Sequence, residues 1–229
     1  MEKNVKKIPT TVGIIMDGNR RWAKANNLPK LEGHRLGYKK IKELMRWAKD
    51  ANIQNIIVYA FSTENWNRTK DEVSYLMDLF RFIFKNEIRY LKQEGIRVRY
   101  MGEKHRFSPD FQKLMAKTEQ ETAKAQGPLL GICLSYGGRA EIIQATNQAI
   151  AKGKPIDETS FSKYLWTSGI PDPDIIIRTG GEYRLSGFLT WQNVYSELFF
   201  TQTYWPAFTK KEFMDILEEF ASRDRRNGR

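Results

Sequence analysis

Cysteine is nearly absent. The 229 residues hold one, Cys133, so no disulfide can close within the chain. A lone thiol inside an apolar run reads as a small hydrophobe. Histidine is almost as scarce, at two residues. No CxxC, HExxH or clustered His/Cys pattern occurs, which excludes the common structural zinc sites. No apolar run approaches the ~20 residues of a membrane span. The leading MEKNVKKIPTT has neither an apolar centre nor a small-residue cleavage motif. These absences predict a cytoplasmic protein, with any membrane contact peripheral. Acids are the last shortage: 27 Asp and Glu stand against 38 Lys and Arg, a net charge of +11. That surplus asks for an anionic partner such as a phosphorylated small molecule, a nucleic acid or an acidic surface.

What is present suffices for one large core. Hydrophobic residues make up 41 % and aromatics 13 %. No repeat, low-complexity tract or linker divides the chain, so residues 1–229 read as a single domain. Short β-branched runs recur at TTVGIIM, NIIVYAF, GIRVRYM, PLLGICLSY, DIIIR and ELFFT. Helical periods separate them, one from Leu36 and one over 70–94. The latter opens on the capping-box pattern Thr69-Lys-Asp-Glu72. Thr209-Lys-Lys-Glu212 opens another helix the same way, and Ser108-Pro109 a third. Alternation predicts an α/β fold with a mainly parallel sheet of about six strands flanked by helices. Ligands of such sheets gather beyond the carboxyl ends of the strands.

Three strand ends carry chemistry. The first gives IIMDGNRRWAK, Ile14 to Lys24. Asp17 suits a hard cation such as Mg²⁺. Gly18 admits a close ligand, and Asn19 reads as the N-cap of the next helix, whose amino end favours an anion. Arg20 and Arg21 add planar forks for phosphate oxygens. His34 follows Gly33 in what reads as a loop. The second end gives FSTENWNR, with Ser62, Thr63, Glu64, Asn65, Trp66 and Arg68 in one loop. The third gives DIIIRTGGEYRLSGF, a Gly-rich loop bearing Arg178, Arg184, Leu185 and Ser186. Glu197, just before its strand, is a further carboxylate for the same face. YGGR, 136–139, reads as a tight βα connection. The helix over 70–94 is apolar on more than one face, with Leu79, Phe82 and Ile83 widening its stripe, as for the wall of a hydrocarbon tunnel.

These motifs, in this order, resemble the cis-prenyltransferases, the undecaprenyl diphosphate synthase family. The matching segments are MDGNRRWAK, GHRLG, FSTENWNR, YGGR, RTGGEYRLSGFLTWQ and YSELFF. The resemblance implies Mg²⁺-dependent condensation of isopentenyl diphosphate onto an allylic diphosphate, farnesyl diphosphate by default, by a homodimer that builds a lipid carrier. It implies that Asp17 and Asn65 are catalytic. Gly18, Asn19, Arg20, Arg21, Lys30 and His34 would hold the allylic diphosphate, Trp22 would be the neighbouring aromatic that contacts substrate, and Ser62, Thr63, Glu64, Trp66 and Arg68 would form the second loop. Arg178, Arg184, Leu185 and Ser186 would hold isopentenyl diphosphate, and Asp17 and Glu197 the metal. Arg20, Lys30 and Gly187 depart from the commonest bacterial pattern of Gly, Arg and Asn. The tail Arg226-Asn227-Gly228 resembles an element that reaches a partner subunit.

Other readings fare worse. A phosphatase whose first strand ends in DxDGT needs a nucleophilic Asp at position 15, which is Ile15. A single-strand nucleic-acid binder interleaves cations with exposed aromatics, whereas these arginines sit in loops after strands.

Overall fold

The structure, a computed structural model, describes residues 7–153 and 155–224. The Arg226-Asn227-Gly228 element lies outside them. Six strands occupy the six β-branched runs: β1 Thr11–Ile15, β2 Asn55–Ser62, β3 Arg97–Met101, β4 Leu129–Tyr136, β5 Ile175–Arg178 and β6 Glu197–Phe200. They form one sheet in the order β3-β4-β2-β1-β5-β6, and every pairing is parallel. β1 and β5 are buried at every position, as expected of strands covered on both faces.

Seven α-helices surround the sheet among the described residues: α1 Asn19–Ala25, α2 Lys30–Asp50, α3 Lys70–Gln93, α4 Pro109–Thr122, α5 Gly138–Lys152, α6 Glu158–Ser162 and α7 Lys210–Ser222. The caps follow the sequence. Thr69 accepts from the Glu72 N–H, and Thr209 and Glu212 close a full capping box. Alternate strand residues point to opposite layers. Val12, Ile14, Val58 and Ile177 pack with Leu44, Phe84, Phe111 and Phe213 of α2, α3, α4 and α7. Ile15, Ile57 and Ile176 face the other way, with Cys133, Phe188 and Leu189.

Three sequence expectations need correction. Gly18, not Asn19, caps α1: its φ of 98° is left-handed, and an added Cβ would lie 2.6 Å from the Tyr204 ring. Asn19 is the first helical residue, and its amide donates back to the Met16 carbonyl at 2.9 Å. Second, α2 begins at Lys30, so His34 sits in its second turn and not in a loop. Pro29 supplies the N-cap there, with no side-chain capping bond. Third, the segment after β2 is ordered into a 3-10 turn over Thr63–Asn67, because the Asn65 side chain accepts from the Ser62 N–H at 3.1 Å.

β1 hands the chain to β2 on one side, while β5 joins on the other. The carboxyl ends of β1 and β5 therefore flank a topological switch point, where such sheets open a crevice.

Candidate functional site

Register brings the two arginine-bearing loops together. Ile15 pairs with Arg178 across β1 and β5, and with Tyr59 across β1 and β2. Asp17 thus emerges beside the end of β5. Its Oδ2 accepts from Arg178 Nη2 at 2.8 Å, and its Oδ1 accepts from the Gly18 N–H at 2.6 Å and faces Arg21 at 3.3 Å. Burial disfavours the charged carboxylate. The Arg178 hydrogen bond and charge, the Gly18 N–H and the Arg21 charge outweigh it and hold the pKa of Asp17 below its ordinary value. Arg178, only 5 % exposed in its side chain, also donates from Nη1 to the Ser186 hydroxyl at 3.0 Å and to the Arg184 carbonyl. Ser186 sits at φ 51°.

A second arginine group forms on the opposite wall. Glu72 of α3 accepts from Arg68 at 2.8 Å and from Arg20 at 3.3 Å. His34 stands near them, and its Nε2 is buried without a partner. Burial, then the Arg68 charge, push its pKa down to about 4, against the opposing pull of Glu72. A neutral His34 depends on pH. Between the ordinary 6.5 and about 4 the unfolded chain binds a proton that the folded one refuses, so stability falls as pH drops through that window. His34→Asn is expected to abolish about 2–3 kcal/mol of that loss. Urea unfolding of both proteins at pH 7 and pH 4.5 measures it; equal pH dependence in the two would refute it.

Three buried side-chain atoms around these groups lack partners: His34 Nε2, Arg178 Nε and Asn19 Oδ1. Orphaned polar atoms are costly, and their clustering marks a place prepared for a polar ligand. All three residues line one cavity of about 580 Å³, the volume of a small-molecule site. Its polar end holds Asp17, Gly18, Arg20, Arg21, Lys30, Ser62, Asn65, Arg68 and Ser186. Beyond Ala60 it runs between α2 and α3 over β4 and β3. There it is walled by Ile41, Leu76, Leu79, Phe80, Ile83, Phe84, Leu91, Leu130 and Ile132. The wide apolar stripe of α3 is thus partly cavity wall, except for Phe82, which points outward at 64 % exposure.

Other sequence-picked residues stand apart from that lining. Trp66 packs on Phe61 and Phe107 and donates to the Ser135 hydroxyl at 2.9 Å. Thr63 contacts Glu64. Trp22 is half-buried on α1, and Leu185 packs on the second core cluster. Arg184 pairs with Glu182 at 2.6 Å, an acid that also meets Arg21 at 3.4 Å. Glu197 does not reach this face within one chain. It begins β6, in register with Ile175, which pairs with Val12 at the far end of β1. Arg223 holds it there at 2.5 Å. In a parallel sheet, a residue that starts a strand lies at the opposite end from one that follows a strand.

The chain is similar to known proteins over nearly its whole length. The prenyltransferase family model, that of undecaprenyl diphosphate synthases, covers residues 15–228. The chain belongs to the undecaprenyl diphosphate synthase family. An isoprenyl transferase of Thermotoga maritima is 42 % identical over 97 % of both chains. A tritrans,polycis-undecaprenyl-diphosphate synthase of Thermococcus kodakarensis, named as specific for geranylgeranyl diphosphate, is 45 % identical over 97 % of this chain and 88 % of its own. In three dimensions, lavandulyl diphosphate synthase from Lavandula x intermedia, solved with dimethylallyl diphosphate, superposes with a TM-score of 0.92. It is 32 % identical, over 97 % of this chain and 99 % of that one.

Within this prenyltransferase, sequence reading missed two side chains that organise the site. Glu72 read only as the end of a cap, yet its spacing of four from Arg68 on a helix start was the available signal. Tyr59 read as core. It donates to the Tyr136 carbonyl at 3.1 Å and to the Ser186 carbonyl at 3.4 Å, so it fastens the third loop to the sheet.

Proposed function

We propose that this prenyltransferase adds isopentenyl diphosphate to an allylic diphosphate in successive head-to-tail steps that form cis double bonds. The observation that carries the reading is a cavity with a cationic end, three orphaned polar atoms and an apolar barrel. An amphiphile with a diphosphate head and a hydrocarbon tail matches it group for group. The allylic diphosphate would lie on Gly18, Asn19, Arg20, Arg21 and His34, its tail past Ala60. Isopentenyl diphosphate would lie on Arg178, Arg184 and Ser186.

The chemistry follows. The allylic C1–O bond breaks, the diphosphate keeps the electron pair, and C1 becomes part of a delocalised cation. Arg20, Arg21 and Arg68 stabilise the departing charge. The terminal double bond of isopentenyl diphosphate attacks C1, and its C2 proton passes to the released diphosphate, which restores a double bond. Asn65, whose Oδ1 is committed to the Ser62 N–H, orients the reacting diphosphate rather than serving as the base.

Asp17 fits Mg²⁺. No group of three or more His, Cys, Asp or Glu side chains converges among the described residues. Mg²⁺ instead favours one or two carboxylates with phosphate oxygens and water. A carboxylate has about four lone-pair sites; Gly18 and Arg178 take two of them by hydrogen bond, and Arg21 faces Oδ1 as an ion pair at 3.3 Å. Bound there, Mg²⁺ would neutralise charge on the diphosphate oxygens.

The reading includes a homodimer. β6 is the sheet edge, and Val194, Tyr195 and Leu198 beside it are 71, 62 and 40 % exposed. A second copy would cover this strip. A cytoplasmic lipid-carrier synthase with peripheral membrane contact completes the proposal. No helix among the described residues is long and apolar enough to cross a membrane.

The test supplies radiolabelled isopentenyl diphosphate with farnesyl or geranylgeranyl diphosphate, with and without Mg²⁺, and resolves products by chain length. A Mg²⁺-dependent ladder is expected. Folded protein that incorporates nothing from either starter would overturn the reading. Light scattering on a sizing column reads the dimer separately.

A further inference from the structure

Two carboxylates line the cavity, and they lie far apart. Asp17 belongs to the polar end; Glu87 is set into the apolar barrel. Glu87 lies on α3 fifteen residues (87 − 72) beyond Glu72, about 22 Å at 1.5 Å per residue. The lining residues around it are Ile83, Phe84, Leu91, Tyr38 and Tyr100. Lys42 of α2 pairs with it at 2.7 Å, and the two side chains keep 30 % and 18 % of their exposure, Lys42 first. The Lys42 ammonium also lies 4.2 Å from the Tyr90 ring centroid. The Tyr90 hydroxyl is buried without a hydrogen-bond partner. Burial, then the Glu87 charge, push the Tyr38 phenol above its ordinary range. The barrel therefore carries a charged, partly hydrated group on its wall, one turn of α3 before Leu91.

Resting on the reading above, we propose that Glu87 is a specificity-determining residue: the charged stop at which a growing hydrocarbon tail ceases to gain from lengthening. Each methylene that enters the barrel leaves water for apolar contact, and the tail grows downhill. At Glu87 the balance changes. A tail that moves further must displace water from an ion pair and offers no hydrogen bond in return. The cavity continues to Leu91 beyond this point, so the limit is set by charge and hydration, not by a closed wall. The groups facing the carboxylate are Lys42 and Tyr38 from α2 and Tyr90 from α3.

The experiment compares product ladders of the full chain and three variants, normalised to total isopentenyl diphosphate incorporated. Glu87→Gln keeps the volume and removes the charge; Glu87→Leu makes the position apolar. Both are expected to shift the mean product longer by at least one isoprene unit, Glu87→Leu the more. Lys42→Met breaks the ion pair but leaves the carboxylate in the barrel, and its ladder should not lengthen. Unchanged ladders in both Glu87 variants, with wild-type incorporation intact, overturn the inference alone. Lengthening by Lys42→Met equal to that of Glu87→Gln also overturns it, since loss of the α2–α3 clasp would then be the cause. A wild-type protein that incorporates nothing overturns the functional reading itself.

Discussion

Asp17→Asn is expected to lower kcat for isopentenyl diphosphate incorporation by about 10²–10³-fold, the usual cost of removing one preorganised electrostatic contact to a leaving group. The substitution is close to isosteric. An amide oxygen still accepts from Arg178 or the Gly18 N–H, so the β1–β5 junction keeps its shape. What disappears is the negative charge that would hold Mg²⁺ against the diphosphate. Asp17→Ala should behave differently: it strands the Arg178 guanidinium, 5 % exposed, and destabilises the fold by about 1–3 kcal/mol besides. Steady-state kinetics with thermal melts of both variants separate the two effects. Asp17→Asn protein that kept more than a tenth of wild-type kcat would remove Asp17 from the chemistry.

Gly33→Ala has the largest expected effect on stability. An added Cβ would sit 2.1 Å from the Asn19 carbonyl oxygen and 2.8 Å from its carbon. Those are backbone atoms of the first α1 residue and cannot swing aside. α2 must retreat from α1, at about 2–3 kcal/mol, lowering Tm by about 4–12 °C. The same retreat pulls Asn19 away from the cradle, so KM for the allylic substrate should rise with the loss of stability. Gly153→Ala is the control. Its φ is positive, at 62°, but nothing lies within 4 Å of the added Cβ, so it carries only the left-handed penalty of about 1 kcal/mol. Equal melting shifts in the two variants would show that crowding at α1 is not the cause.

How far the fold was legible follows from where its information lies. All six strands were readable because β-branched runs such as IIVYA and DIIIR are bounded by turn residues and alternate with helical periods. The start of α2 was not, because Lys30-Leu-Glu-Gly-His carries two weak helix formers and its cap, Pro29, carries no capping side chain. The cradle around Asp17 and Arg178 was legible as two separate loops. Their meeting was not, since it depends on β5 inserting beside β1, a topological fact without a local signature. Glu197 shows the converse. Its place in a motif suggested the site, but its place in the strand, first and not last, sets it at the other end of the sheet. Glu87 was hidden because one acid on an apolar helix reads as its solvated face until α2 is laid against it.

The acids that pair the site's arginines have one more consequence. Glu72 holds Arg20 and Arg68, Asp17 holds Arg178, and Glu182 holds Arg21 and Arg184. Every one of these cations already has a resident counter-ion before any ligand arrives. A ligand therefore enters by exchange, displacing carboxylates from guanidinium groups, and it must outcompete a tethered rival. Chloride, with one charge and no fork to match, competes poorly; a diphosphate, with several charges on rigidly spaced oxygens, meets several guanidinium groups at once. The pocket is thus selective by valence, and the released acids become free to rotate or recruit cations only after the right anion has taken their place.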